Sequence, residues 1–161
     1  MKRSAWTGGC RISEGAVFYS ASMTKSHKIR EVIHIRDELG VEKARRAVGL
    51  FIDRSGLQFS PLERMHILTA TAELARNIHL YAGHGRVDID VLEGDHRGIR
   101  LQFIDQGPGI PYPKAVQKST RRRGTGLGKG LAGSRELADE FSIETSSGRG
   151  TKITFIKWQN S

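Results

Sequence analysis

Apolar residues recur along this chain with two different periods, and the changes from one to the other mark out its elements. KIREVIHI, residues 28–35, alternates apolar and polar positions through Ile29 and Val32 and then closes on Ile33 and Ile35, which predicts a first strand. Val41, Ala44, Ala47, Val48, Phe51 and Ile52 fall at helical spacing instead, behind the candidate N-cap Asp37 and ahead of the stop signal Ser55-Gly56. Ser60-Pro61 opens a second helix, with proline suited to its first position, and this helix is predicted to run to about Ala82, before Gly83. Two strands joined by the turn EGDHRG follow. Val87, Ile89 and Val91 share one face of the first, and Ile99, Leu101, Phe103 and Asp105 share one face of the second. A third helix is predicted over residues 131–141, with Leu131, Leu137, Ala138 and Phe141 on its buried side; the strand SIETS, the turn GRGT and the strand KITFIKW complete the pattern. The order β, α, α, β, β, α, β, β predicts one α+β domain, residues 25–161, with helices covering one face of a sheet. Residues 1–24 show neither period, are rich in Ser, Gly and Ala, and are expected to form a flexible leader.

Composition narrows the function classes. At 161 residues the chain is long enough for one hydrophobic core and too short for two ordinary domains. No apolar run approaches the roughly 18 residues that span a bilayer, so a membrane protein is not expected. The single Cys10 can form no internal disulfide, and the N-terminal residues lack the apolar stretch of a secretory signal, which makes the cytoplasm the expected compartment. The net charge of +9 raises nucleic acid as a partner. Most of the excess is local, however: residues 106–135 hold no acidic residue and seven basic ones, Lys114, Lys118, Arg121, Arg122, Arg123, Lys129 and Arg135. No aromatic residue lies among these arginines to stack on a base, which argues against nucleic-acid binding. The histidines do not have the spacing of a zinc site.

Asp105 is the anomaly in the pattern. It continues the apolar face of its strand, so its carboxylate points toward the core, where an unpaired charge is costly. Either the protein or a ligand must satisfy it, and Gly107 and Gly109 just after it permit a close approach to the backbone. On the second helix Thr69, Glu73 and Asn77 lie four apart, a polar stripe among the apolar or small residues Met65, Leu68, Ala72, Leu74, Ala75 and Ile78. The stripe faces a cavity, a ligand or a satisfied polar network, and a plain pairing of Glu73 with Arg76 is among the alternatives. RRRGTGLGKG, residues 121–130, sets Gly124, Gly126, Gly128 and Gly130 directly before a helix, where free backbone N–H groups and the helix dipole can cradle phosphate. The same run could equally be a flexible surface segment. It is not a Walker loop, because Gly130 stands where Ser or Thr would hold magnesium.

In this fixed order, Glu73 with Asn77, Asp105-x-Gly107-x-Gly109, the glycine run and Gly148-x-Gly150-Thr151 resemble the four ATP-binding boxes of the GHKL superfamily of gyrases, heat-shock chaperones and histidine kinases. The resemblance covers residues 25–158. Within that superfamily ELARNI, YAGHG, DQGPGIP and TKITFIKW are most similar to the anti-sigma-factor regulatory kinases and, among those, to the stressosome switch serine/threonine kinases. The resemblance implies a two-layer α/β sandwich of the GHKL (Bergerat) type with a mixed sheet. It also implies that Asp105 accepts a hydrogen bond from the adenine amino group, that Gly107 and Gly109 let the base approach, and that Asn77 helps hold Mg²⁺ against the phosphates of ATP. Glu73 would be the general base toward a Ser or Thr hydroxyl of a partner protein. Arg123, Gly124, Gly126, Leu127, Gly128, Lys129 and Gly130 would surround the triphosphate, and Thr151 would support the pocket through its hydroxyl. Lys129 and the run Arg121 to Arg123 are more basic than the family pattern; they would clamp phosphates, dock an acidic partner surface or stay solvated. The implied function is phosphorylation of a STAS-domain scaffold or antagonist in a partner-switching stress response, with activation of a PP2C-type phosphatase on release. The alternative is an anti-sigma factor that sequesters a sigma subunit, and a basic nucleic-acid-binding module is a more distant third.

Overall fold

In the computed structural model, which describes residues 11–13, 16–18, 26–110 and 127–160, the alternating and helical stretches become elements in the predicted order. A small antiparallel hairpin, β1 (Arg11–Ser13) with β2 (Ala16–Phe18), falls in the stretch expected as a flexible leader. β3 (Ser26–Ile35) leads into α1 (Glu38–Ser55) and α2 (Pro61–Asn77). β4 (Gly85–Leu92) and β5 (Gly98–Asp105) form a hairpin, and α3 (Leu127–Leu137) precedes a second one, β6 (Glu140–Ser146) with β7 (Gly150–Trp158).

The main sheet runs β3-β4-β5-β7-β6, and every neighbouring pair is antiparallel, where a mixed sheet was expected. The reason is topological: β7 slots in beside β5 and against its direction, so β6, which runs parallel to β5, is held one strand away from it. Across the sheet Ile33, Val87, Phe103, Ile153 and Ile143 stand in one row, and Ile89, Leu101, Phe155 and Phe141 in the next. The helices bury this apolar face with Val48 and Phe51 of α1, Ile67 and Leu74 of α2, and Leu131 of α3.

The third helix starts and stops four residues earlier than its apolar spacing predicts. Gly128 and Gly130 are inside its first turns, and Phe141, expected on its buried face, lies in β6 opposite Phe155. Asp139 imposes the stop. Its N–H donates to the Ile156 carbonyl at 3.0 Å, while its carboxylate accepts from Lys157 Nζ and Trp158 N, each at 2.7 Å, which commits the chain to β6.

α1 is capped as predicted, Asp37 Oδ1 accepting from Gly40 N at 2.8 Å. α2 begins with a capping box: Glu63 N donates to Ser60 Oγ at 3.2 Å and Ser60 N donates to Glu63 Oε2 at 2.8 Å. One residue later Arg64 grips α1, donating to both oxygens of Asp53 at 2.8 and 3.1 Å and to the Gly49 carbonyl at 3.1 Å. These ties fix the start of the helix that carries Glu73 and Asn77. They leave its first turns outside the core: Met65, read as part of a buried surface, is 54% exposed, and Leu62 57%.

The Ser60 backbone N–H holds the Glu63 carboxyl below its ordinary value of 4.5. A carboxyl depressed in the folded state adds stability above its unfolded pKa and loses that contribution as pH falls through the folded one. Glu63→Ala should therefore cost about 0.5–1 kcal/mol at neutral pH. In urea unfolding, the gap from wild type should close as pH drops below about 4.5.

Candidate nucleotide-binding site

β5 ends on Asp105, and the row across the sheet at that level reads Ile35, Gly85, Asp105, Thr151, Thr145. The protein satisfies one side of the carboxylate: Oδ1 accepts from Gly107 N at 2.9 Å and from Thr151 N at 3.2 Å. Oδ2 accepts no hydrogen bond among the described residues. One oxygen is thus fixed and the other left as an oriented acceptor. Backbone crowds in around this group. A Cβ at Gly150, where φ is +90°, would collide with the Asp105 carbonyl, and one at Gly85 would come within 2.5 Å of the Ile104 carbonyl and 3.2 Å of Asp105 Cβ. The resemblance implies that a base approaches Gly107 and Gly109. In the structure the groups that approach them are the Ala82 side chain, 2.7 Å from a Gly107 Cβ, and the Ser146 carbonyl, which a Cβ at Gly109 would strike.

Thr145 ties the pieces together. Its Oγ1 accepts from Ile110 N at 2.9 Å and lies 3.2 Å from the Gly150 carbonyl and 3.1 Å from Thr151 Oγ1. The Pro108 carbonyl accepts from Gly148 N at 2.9 Å, so the DQGPGIP loop is pinned to the β6–β7 turn. Thr151 serves twice, by its amide at Asp105 and by its hydroxyl at Thr145.

α2 brings up the second half. Glu73 Oε1 accepts from Arg76 Nη1 at 2.8 Å, the pairing that the sequence left open. Its Oε2 lies beside Gly130 of α3, 2.9 Å from where a Cβ on that glycine would stand. One turn on, the Asn77 Nδ2 is buried with no hydrogen-bond partner among the described residues. Such orphaned amides are rare, and with a half-turn of the amide the oxygen takes the same place, so Asn77 offers either a donor or a hard oxygen ligand to a group from outside. α2 then widens into a π-helical turn, Ile78–Ala82, a device frequent at functional sites, which ends at Gly83 with φ +77°. Ile78 Cγ2 packs on Gly85 beside Asp105, and Ala82 packs on Gly107, so the helix and the loop form one contiguous site.

Asp105, Gly107, Gly109 and Thr151 therefore converge where β5 and β7 meet the loop, and Glu73 meets Gly130 where α2 passes α3. Leu127, Gly128 and Lys129 belong to the first turn of α3, of which only the backbone is described; Arg123, Gly124 and Gly126 lie outside the described residues. Thr145 carries no motif of its own, and Gly85 closes the YAGHG segment with no role assigned to it. The register is what finds them, since a residue facing Asp105 or Thr151 across a ladder must make room for the loop or bond to it.

Residues 63–160 match the family of histidine kinase-, DNA gyrase B- and HSP90-like ATPases, and the chain belongs to that family. Every candidate site residue falls within the matched span. The serine/threonine-protein kinase RsbT of Bacillus subtilis (strain 168) is 44% identical over 103 residues, which make up 63% of this chain and 77% of that protein. Among solved structures, the chain is similar to the SiaB–SiaC complex from Pseudomonas aeruginosa, with a TM-score of 0.55 and 16% identity over 79% of this chain and 89% of that one. A mycobacterial sensor histidine kinase, MprB, aligns with a TM-score of 0.46 and 20% identity over 82% of this chain and 99% of that one. At 16% identity the likeness to the SiaB–SiaC structure is one of fold, and it agrees with the α+β sandwich. No described helix is long and apolar enough to cross a membrane.

Gly148 and Gly150 separate two reasons for a glycine. Gly148 has φ +70° but open space around it, so Gly148→Ala should cost about 1–2 kcal/mol in urea unfolding. Gly150→Ala adds the collision with the Asp105 carbonyl and should cost about 3 kcal/mol or more.

Proposed function

We propose that this chain is an ATP-dependent serine/threonine protein kinase of a partner-switching pathway, in which Asp105 recognises adenine and Glu73 directs phosphoryl transfer to a protein hydroxyl. The observation that carries the reading is the Asp105 carboxylate, with Oδ1 immobilised by two amides and Oδ2 presented as an acceptor at the open end of the sheet. An adenine amino group is the donor such an oxygen lacks. Glu73 is 41% exposed by its side chain, so the hydroxyl of a second protein can reach it. There it accepts or orients the hydroxyl proton while the oxygen attacks the γ-phosphorus and ADP leaves.

Asn77 fits a magnesium ion, because its buried amide is otherwise unpartnered among the described residues; it would help hold Mg²⁺, which would supply positive charge to offset that of the phosphates. Arg123, Gly124, Gly126, Leu127, Gly128 and Lys129 are proposed to surround the triphosphate, and Gly107, Gly109 and Thr151 to hold the adenine end. The kinase domain is taken as residues 25–161, after a leader of residues 1–24. The identity to RsbT supports the protein-kinase class. The substrate is proposed to be a STAS-domain protein, and the released kinase to activate a PP2C-type phosphatase, both in the cytoplasm. Co-purification of a sigma subunit in place of these partners would favour the sequestering role instead.

Titration calorimetry with Mg·ATP tests the pocket. The wild type should bind ATP, and Asp105→Asn, which sets a donor against the adenine donor, should bind it on the order of 10- to 100-fold more weakly. Glu73→Ala should keep ATP binding and lose roughly 10²- to 10⁴-fold in phosphoryl transfer to a STAS-domain protein. A folded wild type that does not bind ATP would sink the proposal.

A further inference from the structure

Gly130 falls in the run that the resemblance assigns to phosphate, yet what it touches in the structure is the Glu73 carboxylate. Glycine disfavours a helix relative to alanine, and Gly130 lies within α3 rather than before it, so its place there calls for a reason. We infer that Gly130 is a positioning residue for Glu73: the missing side chain is the clearance that sets where the carboxylate stands. The inference deepens the kinase reading and rests on it for its functional meaning.

Three observations carry it. The first is the contact itself, 2.9 Å from a Gly130 Cβ to Glu73 Oε2, against 3.8 Å to its Cβ and 3.9 Å to its Cδ, so only the carboxylate end is crowded. The second is that α3 cannot easily retreat. Leu131 is 0% and Ser134 1% exposed, so the turn that follows the glycine is seated in the core, and Ser134 Oγ, donating to the Gly130 carbonyl at 2.7 Å, keeps the glycine in register with that buried turn. A methyl at position 130 must then be relieved by the flexible glutamate, not by the backbone. The third is Arg76, which holds Oε1 at 2.8 Å, so that the carboxylate stands between a guanidinium on its own helix and a bare Cα on the next. Gly133, on the same helix, meets nothing within 4 Å and is the matched control.

The test compares Gly130→Ala with Gly133→Ala. In apo protein labelled with ¹³C-glutamate, with the Glu73 carboxyl signal assigned by its loss in Glu73→Gln, Gly130→Ala should shift that signal and Gly133→Ala should leave it in place. Both variants should melt at or above the wild-type temperature, since alanine is the better helix former. With Mg·ATP, Gly130→Ala should bind ATP as the wild type does while kcat for phosphate release, with water as acceptor, falls on the order of 10²-fold and KM for ATP holds. Gly133→Ala should keep the wild-type kcat. An unmoved Glu73 signal in Gly130→Ala would overturn the inference, as would a lowered melting temperature, which would mean that the glycine serves the backbone. Loss of ATP binding in Gly130→Ala alone would also overturn it, in favour of a phosphate-cradling role. A shifted signal in a protein whose wild type neither binds nor turns over ATP supports the clearance and removes the kinase reading.

Discussion

The acceptance of two backbone N–H groups by one oxygen of Asp105 is the constraint on which the site is built. Gly107 lies two residues along the chain and Thr151 forty-six, so the same carboxylate oxygen fixes the loop that leaves β5 and the start of β7. For the Thr151 amide to reach it, backbone must lie almost against backbone at Gly150, which faces the Asp105 carbonyl, while Gly85 makes room for Ile104 and Ile78 and Gly107 for Ala82. Thr145 then locks the β6–β7 hairpin to the same loop by bonding Ile110 N and Thr151 Oγ1. A carboxylate held in this way keeps one oxygen in a set direction without spending a side-chain partner on it, which is the arrangement that reading a single donor requires.

α2 reaches this centre from a well-secured start. The capping box at Ser60 and the Arg64 grip on Asp53 and Gly49 define its axis near the surface, and burial takes over at Ile67, Ala70, Thr71 and Leu74. The π-helical turn then lets Ile78 and Ala82 reach Gly85 and Gly107. A regular α-helix would rotate the later side chains differently, so the extra residue per turn is what aligns the helix end with the Asp105 loop. Glu73 and Asn77, four apart and upstream of that widening, keep their common face.

Much of this was legible in the sequence because strand alternation runs unbroken through Ile99, Leu101, Phe103 and Asp105, and the break in polarity is itself the signal. Glu73 and Asn77 were legible by spacing, and the caps at Asp37 and Ser60 by residue type. The start of α3 was not, since Gly128 and Gly130 lower local helix propensity and the contacts of Leu131 and Ser134 override it. Phe141 has helical spacing from Leu137 and Ala138, and only the tertiary bonds of Asp139 put it in a strand. The all-antiparallel pairing, the part Gly85 plays beyond belonging to YAGHG, and Thr145 are consequences of register, which a one-dimensional pattern does not carry. Met65 stands exposed although α2 is apolar or small around most of its circumference, because packing alone chooses which part is covered.

The alternation that sends Val87, Ile89 and Val91 into the core sends Asp88 and Asp90 to the opposite face of the sheet, where they are nevertheless only 1% and 3% exposed. Arginines cover them. Asp88 pairs with Arg30 and, at 2.9 Å, with Arg86, while Asp90 pairs with Arg100 at 3.0 Å. The long stems shield the acids and the guanidiniums neutralise them, so the charges satisfy one another without a helix over them. Desolvation offsets much of what such pairs gain, and their effect lies more in what they exclude than in stability. Paired charges interrupt the apolar positions of that face, and among the described residues the helices bury the other side. The core-facing row that ends in Asp105 is thereby left at a seam, with the sheet beneath and α2 with its π-helical turn above. That seam is where the proposed function would place a planar base, against the Asp105 oxygen that accepts no hydrogen bond among the described residues.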